Sequence, residues 1–449
     1  MPTSNSQYEV IEFMFSPKTA SSGSPSEPWL VCLSAALFFF FVFIQMNMFN
    51  AVGSHLMQTF HLSAAELGHL SASYFYANVI FLYPAGLLLD RLSPRRIILF
   101  VMMGAIACTF WFAMANSYNQ ILIARFLTGA FGAFCLLSSV KVASRWFPPK
   151  RMALIIGLIV TLAMIGGMIS QSPLTYLTDT LGWRQTILID GIFGILLLVP
   201  MVVFIKDFPL GASMATERHA ANHLGFWEAI GKTVLNPQNW LAGLYVSLIN
   251  LPLMILGTTW GALFLTQAHH LSRPEASFMI TILFFGMIIG STSIGWISDY
   301  IGKRKPPMIF GAIACLFISL LLIYLPDPGM WTLKFLFFLL GYVSSFQIIG
   351  YPLIAESNPP ELTGSAEGLS SILIMSGGFT VSLFPYFLNL NWDNQIINNV
   401  PIYSLYDYRM ALLLLPAAFL IALVSAILVR ETNATQSVKK KVEMSIEPN

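Results

Sequence analysis

The sequence predicts an all-α membrane protein, with twelve transmembrane helices arranged as two pseudo-symmetric six-helix bundles. Three observations lead there. Of 449 residues, 56% are hydrophobic and only 10% charged, where a soluble domain carries roughly 25% charged residues. Apolar runs of about 20 residues, the length that crosses a bilayer core, recur between short polar breaks. The second half of the chain also repeats the first at an offset close to 209 residues. Long unbroken runs suit helices that satisfy their own backbone hydrogen bonds, not the short alternating strands of a barrel.

Residues 1–28 are polar and lack the basic start and apolar core of a signal peptide, so they are expected to form a cytoplasmic tail. Helices 1 to 6 are expected near 29–58, 67–89, 96–116, 120–143, 152–175 and 183–205, making an N-terminal bundle over 29–205. Residues 206–239 read as a cytoplasmic linker. Its Leu224, Phe226, Trp227, Ile230 and Val234 at helical spacing suggest an amphipathic helix on the membrane surface. Helices 7 to 12 follow near 240–266, 275–298, 306–326, 331–354, 363–388 and 409–430, a C-terminal bundle over 240–430. Residues 431–449 form a second cytoplasmic tail.

With both termini inside, 18 of the 23 basic residues fall on the cytoplasmic side; Arg125, Arg184, Arg273, Lys334 and Arg409 are the rest. This positive-inside bias sets the orientation expected in a cell inner (plasma) membrane. The four cysteines lie inside apolar spans, so neither a disulfide framework nor a metal site is expected. The net charge of +2 gives no reason to expect a nucleic-acid partner.

The repeat is literal in places. His61-Leu62-Ser63 with Glu66 recurs as His270-Leu271-Ser272 with Glu275, and each Ser and Glu pair is spaced as a capping box. Gly104 to Cys108 reads GAIAC, as does Gly311 to Cys315. An even number of helices per copy relates the halves by an axis along the membrane normal, with a central site between two bundles that rock. Neither a filter segment nor rings of charge suggest a channel.

Between helices 2 and 3 runs GLLLDRLSPRR, from Gly86 to Arg96, and between helices 8 and 9 runs GWISDYIGKRK, from Gly295 to Lys305. Here the sequence resembles the major facilitator superfamily, whose hallmark loop is G-x-x-x-D-R/K-x-G-R-R/K. Arg125 with Gly129 in helix 4 and Gly182-Trp183-Arg184 at helix 6 add to the likeness, which covers roughly 29–430. The resemblance implies the fold named above, alternating access, and gating by Gly86, Asp90, Arg91, Arg95, Arg96, Gly295, Asp299 and Arg304. An aspartate at such a mouth can accept from the free amides of a helix start and pair with the neighbouring arginines when the halves close. Two departures stand out. Ser93-Pro94 replaces the usual x-Gly step, and Tyr300 replaces the base after the second aspartate, so the second latch is expected to be weaker.

The resemblance also implies a cavity lined by helices 1, 4, 7 and 10. Polar residues there and on helix 2 give the candidate binding set: Gln45, Asn47, Asn50, Tyr74, Arg125, Asn250, Trp260, Gln347 and Tyr351. Each amide or hydroxyl can equally well join neighbouring helices. Arg125 is the stronger signal, because a charge in the membrane core is costly and is kept for a pathway or a partner. Asp190 on helix 6, at similar depth, is the candidate for a buried pair with it. Glu356, Glu361 and Glu367 are expected to serve the start of helix 11.

The expected function is a secondary active or facilitative carrier of a small polar or zwitterionic solute, with uptake of a nutrient-like compound preferred. Proton-coupled efflux of a metabolite, siderophore or drug is the alternative, and a transporter-like sensor the reading from another class. No nucleotide-binding loop occurs. Catalytic clustering is missing too, so no enzyme is expected. No cofactor is expected, and the partners are the solute, candidate protons and the lipid bilayer, around a monomer.

Overall fold

The structure, a computed structural model, describes residues 26–147, 152–209, 226–359, 362–398 and 400–433; the side chains of Leu87, Asp90, Arg91 and residues 152–154, 226–230 and 363–365 also lie outside it. Among the described residues, helix 1 is Glu27–Asn47 continued as Phe49–Phe60, helix 2 Ala64–Arg91, helix 3 Pro94–Met114, and helix 4 Tyr118–Gly132 with Cys135–Trp146. Helix 5 is Met152–Ile169 with Ser172–Leu181, and helix 6 is Trp183–Phe204. Helix 7 is Pro237–Ile249, Leu253–Trp260 and Gly261–Ala268; helix 8 is Arg273–Ile301 and helix 9 Lys305–Tyr324. Helix 10 is Met330–Ser344, Ser345–Ile349 and Gly350–Glu356. Helix 11 is Thr363–Ser376, Gly377–Phe379 and Thr380–Leu388, and helix 12 is Leu405–Leu412 with Leu414–Leu428.

Eleven of these are long and apolar enough to cross a membrane. The twelfth is helix 2, whose 28 residues reach about 42 Å at 1.5 Å each. Its serines, tyrosines and Asn78 lower its hydropathy, and several of them face protein rather than lipid: Ser71, Ser73, Tyr74 and Asn78 are all buried.

The repeat returns as geometry. Both capping boxes form: the backbone amides of Ser63 and Ser272 donate to Glu66 and Glu275 at 2.8 and 2.9 Å. His61 and His270, preceding them, both take left-handed backbone angles, with φ of 55° and 54°. Helix packing repeats as well. A Cβ on Gly129 would lie 2.1 Å from the Tyr74 carbonyl oxygen, and one on Gly341 would lie 2.0 Å from that of Leu283. Tyr74 and Leu283 are separated by the repeat offset. Lipid tails give helices no hydrophobic reason to associate, so small residues that admit such backbone approach set the contacts.

Two differences from the sequence reading appear. A helix does form in the linker, at Phe226–Leu235, but Leu224 and the apolar side chains from Phe226 to Ile230 fall outside the described residues. The loop between helices 11 and 12 is not plain loop. Strand β1 (Ile396–Ile397) pairs antiparallel with β2 (Val400–Pro401), and Gln267 of helix 7 pins it, accepting from the Tyr403 amide at 3.1 Å and donating to the Pro401 carbonyl at 3.0 Å.

Gly129→Ala is expected to force helices 2 and 4 apart and to lower the melting temperature in detergent, at an overpacking cost of about 1–3 kcal/mol. Gly157→Ala, whose Cβ would meet nothing within 4 Å, serves as the control and should melt like the parent.

Candidate functional site

Helices 1, 4, 7 and 10 each lose regular α geometry part-way: at Met48, at Ala133–Phe134, through a π-helical stretch Leu253–Trp260, and through a 3-10 turn Ser345–Ile349. Helices 5, 11 and 12 are also interrupted, at Ser170–Gln171, Gly377–Phe379 and Leu413. Irregular backbone at membrane depth persists only where protein or a water-filled cavity satisfies it. The expected binding residues cluster at these breaks: Asn47 and Asn50 flank the first, Asn250 precedes the third, and Gln347 lies inside the fourth.

Arg125 is fully buried, and both terminal nitrogens of its guanidinium are engaged while Nε has no partner among the described residues. Nη1 donates to the Gln45 carbonyl at 2.5 Å and Nη2 to that of Met46 at 3.1 Å, just ahead of the helix 1 break. The rings of Phe49 and Tyr74 lie 4.7 and 4.9 Å from its central carbon, a cation–π sandwich. The expected Arg125–Asp190 pair does not form directly. Gln45 stands between them: its side-chain amide donates to Asp190 while its backbone carbonyl accepts from Arg125. Opposite charge and equal depth suggested the pair, and depth alone says nothing about which residue fills the gap.

Asn50 is a bond across the molecule. Its amide donates to the Leu256 and Gly257 carbonyls of helix 7 at 2.8 and 2.7 Å, and its oxygen accepts from the Ala262 amide at 3.0 Å. Gln171 of helix 5, which the sequence reading passed over, joins the Asn47 and Gly257 carbonyls at 3.2 and 3.1 Å. Trp260 is buried, donates to the Val381 carbonyl at 3.0 Å and stacks on Phe384. Buried side-chain atoms around these breaks that have no hydrogen-bond partner among the described residues include Asn47 Oδ1, Arg125 Nε, Gln171 Oε1 and Asn250 Oδ1. Gln347 and Tyr351 of helix 10 are half-buried and make no side-chain hydrogen bond there.

The halves are laced together at the end of the molecule that carries the helix 1–2 and 7–8 loops. Arg273 at the start of helix 8 donates to Asp179 of helix 5 at 2.8 Å, to the Ala51 carbonyl at 2.8 Å and to Ser54. His55 reaches the same Asp179 oxygen at 3.5 Å. Thr175 and Ser277 lie 2.7 Å apart, Ser71 and Thr259 2.6 Å, and Tyr76 donates to Ser382 at 2.7 Å.

At the opposite, basic end, the described gate-loop bonds stay within one half. Asp90 and Arg91 lie outside the described side chains. Arg95 turns to the end of helix 6, its amide donating to Asp207 at 3.0 Å and its guanidinium to the Val202 carbonyl at 3.0 Å. Arg96 is exposed, its amide capped by Ser93 at 3.2 Å. In the second copy Arg304 is buried and pairs with Asp299 at 2.6 Å and Glu356 at 2.8 Å. Burial alone would lower the Arg304 guanidinium, but Glu356 and Asp299 hold it above its ordinary value. Glu356 therefore closes helix 10 and anchors Arg304, rather than serving helix 11. Helix-start amides are capped by acids after each bundle's last helix: Asp207 for helix 3, and Glu431 for helix 9 through the Arg304 and Lys305 amides at 2.9 Å each. A Cβ on Gly157, Gly295 or Gly368 would meet nothing within 4 Å, and one on Gly86 would meet Leu137 of its own half at 3.7 Å.

A sequence-family description, Major Facilitator Superfamily, matches residues 35–259 and again 242–447. The chain is similar to the D-galactonate transporter of Escherichia coli O6:H1, 23% identical over 75% of this chain and 83% of that protein. It is also similar to the probable galactarate/D-glucarate transporter of Bacillus subtilis, 22% identical over 79% and 84%. Among solved structures, a bacterial homologue of the human lysosomal transporter Spinster, described as inward-facing and unoccupied, superposes with a TM-score of 0.71, at 18% identity and covering 92% of this chain and 98% of that one.

Arg273→Ala is expected to loosen the seam. Spin labels at Thr180 and His270 should gain a longer-distance population, by about five- to 150-fold on typical coupling energies; an unchanged distribution would sink this reading. Burial alone would push the Glu431 carboxyl up, but the amides of Arg304, Asn433, Lys305 and Thr432 hold it below the usual range. A depressed pKa stabilises above the unfolded value and is lost as pH falls through the folded one. The protection of the Arg304 and Lys305 amides from hydrogen exchange, corrected for the intrinsic pH dependence of exchange, should therefore fall in acid, and Glu431→Gln should show reduced protection already at neutral pH.

Proposed function

The chain belongs to the major facilitator superfamily and is a membrane solute transporter, and from that premise we propose that it carries a small polyhydroxylated carboxylate of the sugar-acid class by alternating access. The observation that carries this reading is the set of hydrogen-bonding atoms to spare at the helix breaks, in a chain whose relatives include transporters named for sugar acids. Asn47, Arg125, Gln171 and Asn250 each keep a buried unpartnered polar atom, and Gln347 and Tyr351 add an amide and a hydroxyl. Amides and hydroxyls suit a row of sugar hydroxyls, and a guanidinium edge suits a carboxylate.

The remaining candidates take supporting roles. Tyr74 and Gln45 hold Arg125, while Asn50 and Trp260 shape helix 7. The positive-inside bias supports the basic end as the cytoplasmic one, with both termini there. The trans-half bonds then close the outer mouth, and the solute is released inward. Uptake is the direction proposed. Gly86, Asp90, Arg91, Arg95, Arg96, Gly295, Asp299 and Arg304 form the cytoplasmic gate when the halves rock the other way.

Proteoliposomes should take up labelled D-galactonate. Unlabelled D-glucarate and D-galacturonate should compete, and the neutral sugar D-galactose should not. Asn250→Ala and Gln347→Ala should each raise KM about tenfold, the value of one hydrogen bond to a charged or strongly polar group. Equal competition by galactose would refute the carboxylate class, and no flux of any acid would refute the substrate reading altogether.

A further inference from the structure

Asp190 is a carboxylate inside the membrane that the solute site does not use. It lies seven residues into helix 6, about 10 Å along the axis, and is buried. Its surroundings are apolar: a Cβ on neighbouring Gly191 would touch Phe110, and one on Gly194 would touch Phe41 and Ile106. Among the described residues its hydrogen-bond partner is the Gln45 amide, and no Lys, Arg or His stands within ion-pair distance of it. An ionised carboxylate is expensive in such a place, and intramembrane acids are retained for proton or ion pathways more than for packing.

Its partner links it to the moving parts. Gln45 sits three residues before the break in helix 1, and its carbonyl is held by Arg125. Beyond the break, Asn50 is inserted between the Gly257 carbonyl and the Ala262 amide of helix 7 in the other half. The elements packed on helix 6 bring few other ionisable groups to this level. Cys108 on helix 3 is at similar depth; Arg95, Arg96 and Glu27 stand near one end, and His55, Tyr176, Asp179 and Arg184 near the other. Arg184 is committed to the Ala113 and Ala115 carbonyls at 2.8 and 2.7 Å.

We propose that Asp190 is a proton-binding site of the transport cycle, and that Gln45 reports its charge state to helix 1. The ionised carboxylate accepts from the Gln45 side-chain N–H. Binding a proton makes one O–H bond and turns an acceptor into a donor. The carboxyl keeps one acceptor oxygen but gains a donor, and Gln45, its hydrogen-bond partner among the described residues, turns its amide to offer that O–H its oxygen, so the segment leading to the break is regripped. No other covalent bond is made or broken. The proposal rests on the transporter reading but not on the identity of the solute.

Infrared difference spectra of the full-length protein in lipid, recorded against pH without solute, test it. The parent should show a buried protonated-carboxyl C=O band that disappears as pH rises. The band should vanish in Asp190→Asn and return, shifted, in Asp190→Glu. Gln45→Leu removes a donor to the ionised form, so its midpoint should rise by about one pH unit or more. A band that survives in Asp190→Asn, a parent with no titrating band, or an unmoved midpoint in Gln45→Leu would overturn the proposal. Where D-galactonate is carried, Asp190→Asn should lower the ratio of pH-driven accumulation to counterflow at least tenfold; a protein that carries no galactonate still leaves the spectra to decide.

Discussion

A polar backbone group inside a membrane has no solvent to fall back on, and the breaks in helices 1 and 7 are organised by that constraint. Beside the first break, Arg125 takes the carbonyls of Gln45 and Met46, and Gln171 takes that of Asn47. In the second, Asn50 is wedged into the helix 7 ladder, serving Gly257 on one side and Ala262 on the other. The wedge comes from the opposite half. The shape of helix 7 and the closure of the halves at that end are therefore one event. Separating the halves there leaves these groups needing other partners, and an opening cleft supplies them as water.

The two halves share a plan and differ in how they use it. Both start their second helix after a histidine in the left-handed region and with a capping box, and both let one glycine of the fourth helix seat against a backbone carbonyl of the second. Both cap their third helix with an acid from beyond their sixth. The difference lies in the charges at the basic end. The second copy lacks a base at Tyr300, yet Arg304 is buried among Asp299, Glu356 and Ser298. A guanidinium offers five donors in a planar fork, so one Arg can bind several acceptors at once. The loss of one base after the aspartate is thereby absorbed inside the half.

Elements whose signal is local were legible in the sequence. Apolar runs gave the spans, a Ser and Glu three apart gave the capping boxes, and a charge in an apolar helix marked Arg125. Contacts between residues far apart in the chain were not. Asp207 and Glu431 look like ordinary exposed acids after a helix until the fold brings helices 3 and 9 beneath them. Gln171 was missed because helix 5 was not counted among the cavity walls, although its break turns that side chain toward helices 1 and 7. The Arg125–Asp190 pairing failed for the same reason, since a sequence shows two charges and not the glutamine between them. Asn50 was read as a candidate for binding; in the fold its amide is fully used by helix 7.

In the proposed cycle, helix 1 is the element that joins chemistry to motion. On one side of its break, Gln45 touches the Asp190 carboxyl group of helix 6 and the Arg125 guanidinium of helix 4, both within its own half. On the other side, Asn50 grips the least regular stretch of the opposite half. These two residues are five apart, about 7.5 Å along the axis, with the break at Met48 between them. A rigid helix would pass a push at Gln45 straight to Asn50, whereas a broken one converts it into a change of angle. Changing an angle at the seam is what separates or closes two halves that are otherwise each packed as a unit. In the proposed cycle the break therefore belongs to the mechanism as much as the charges do, which gives a reason for the hydrogen bonds that satisfy it.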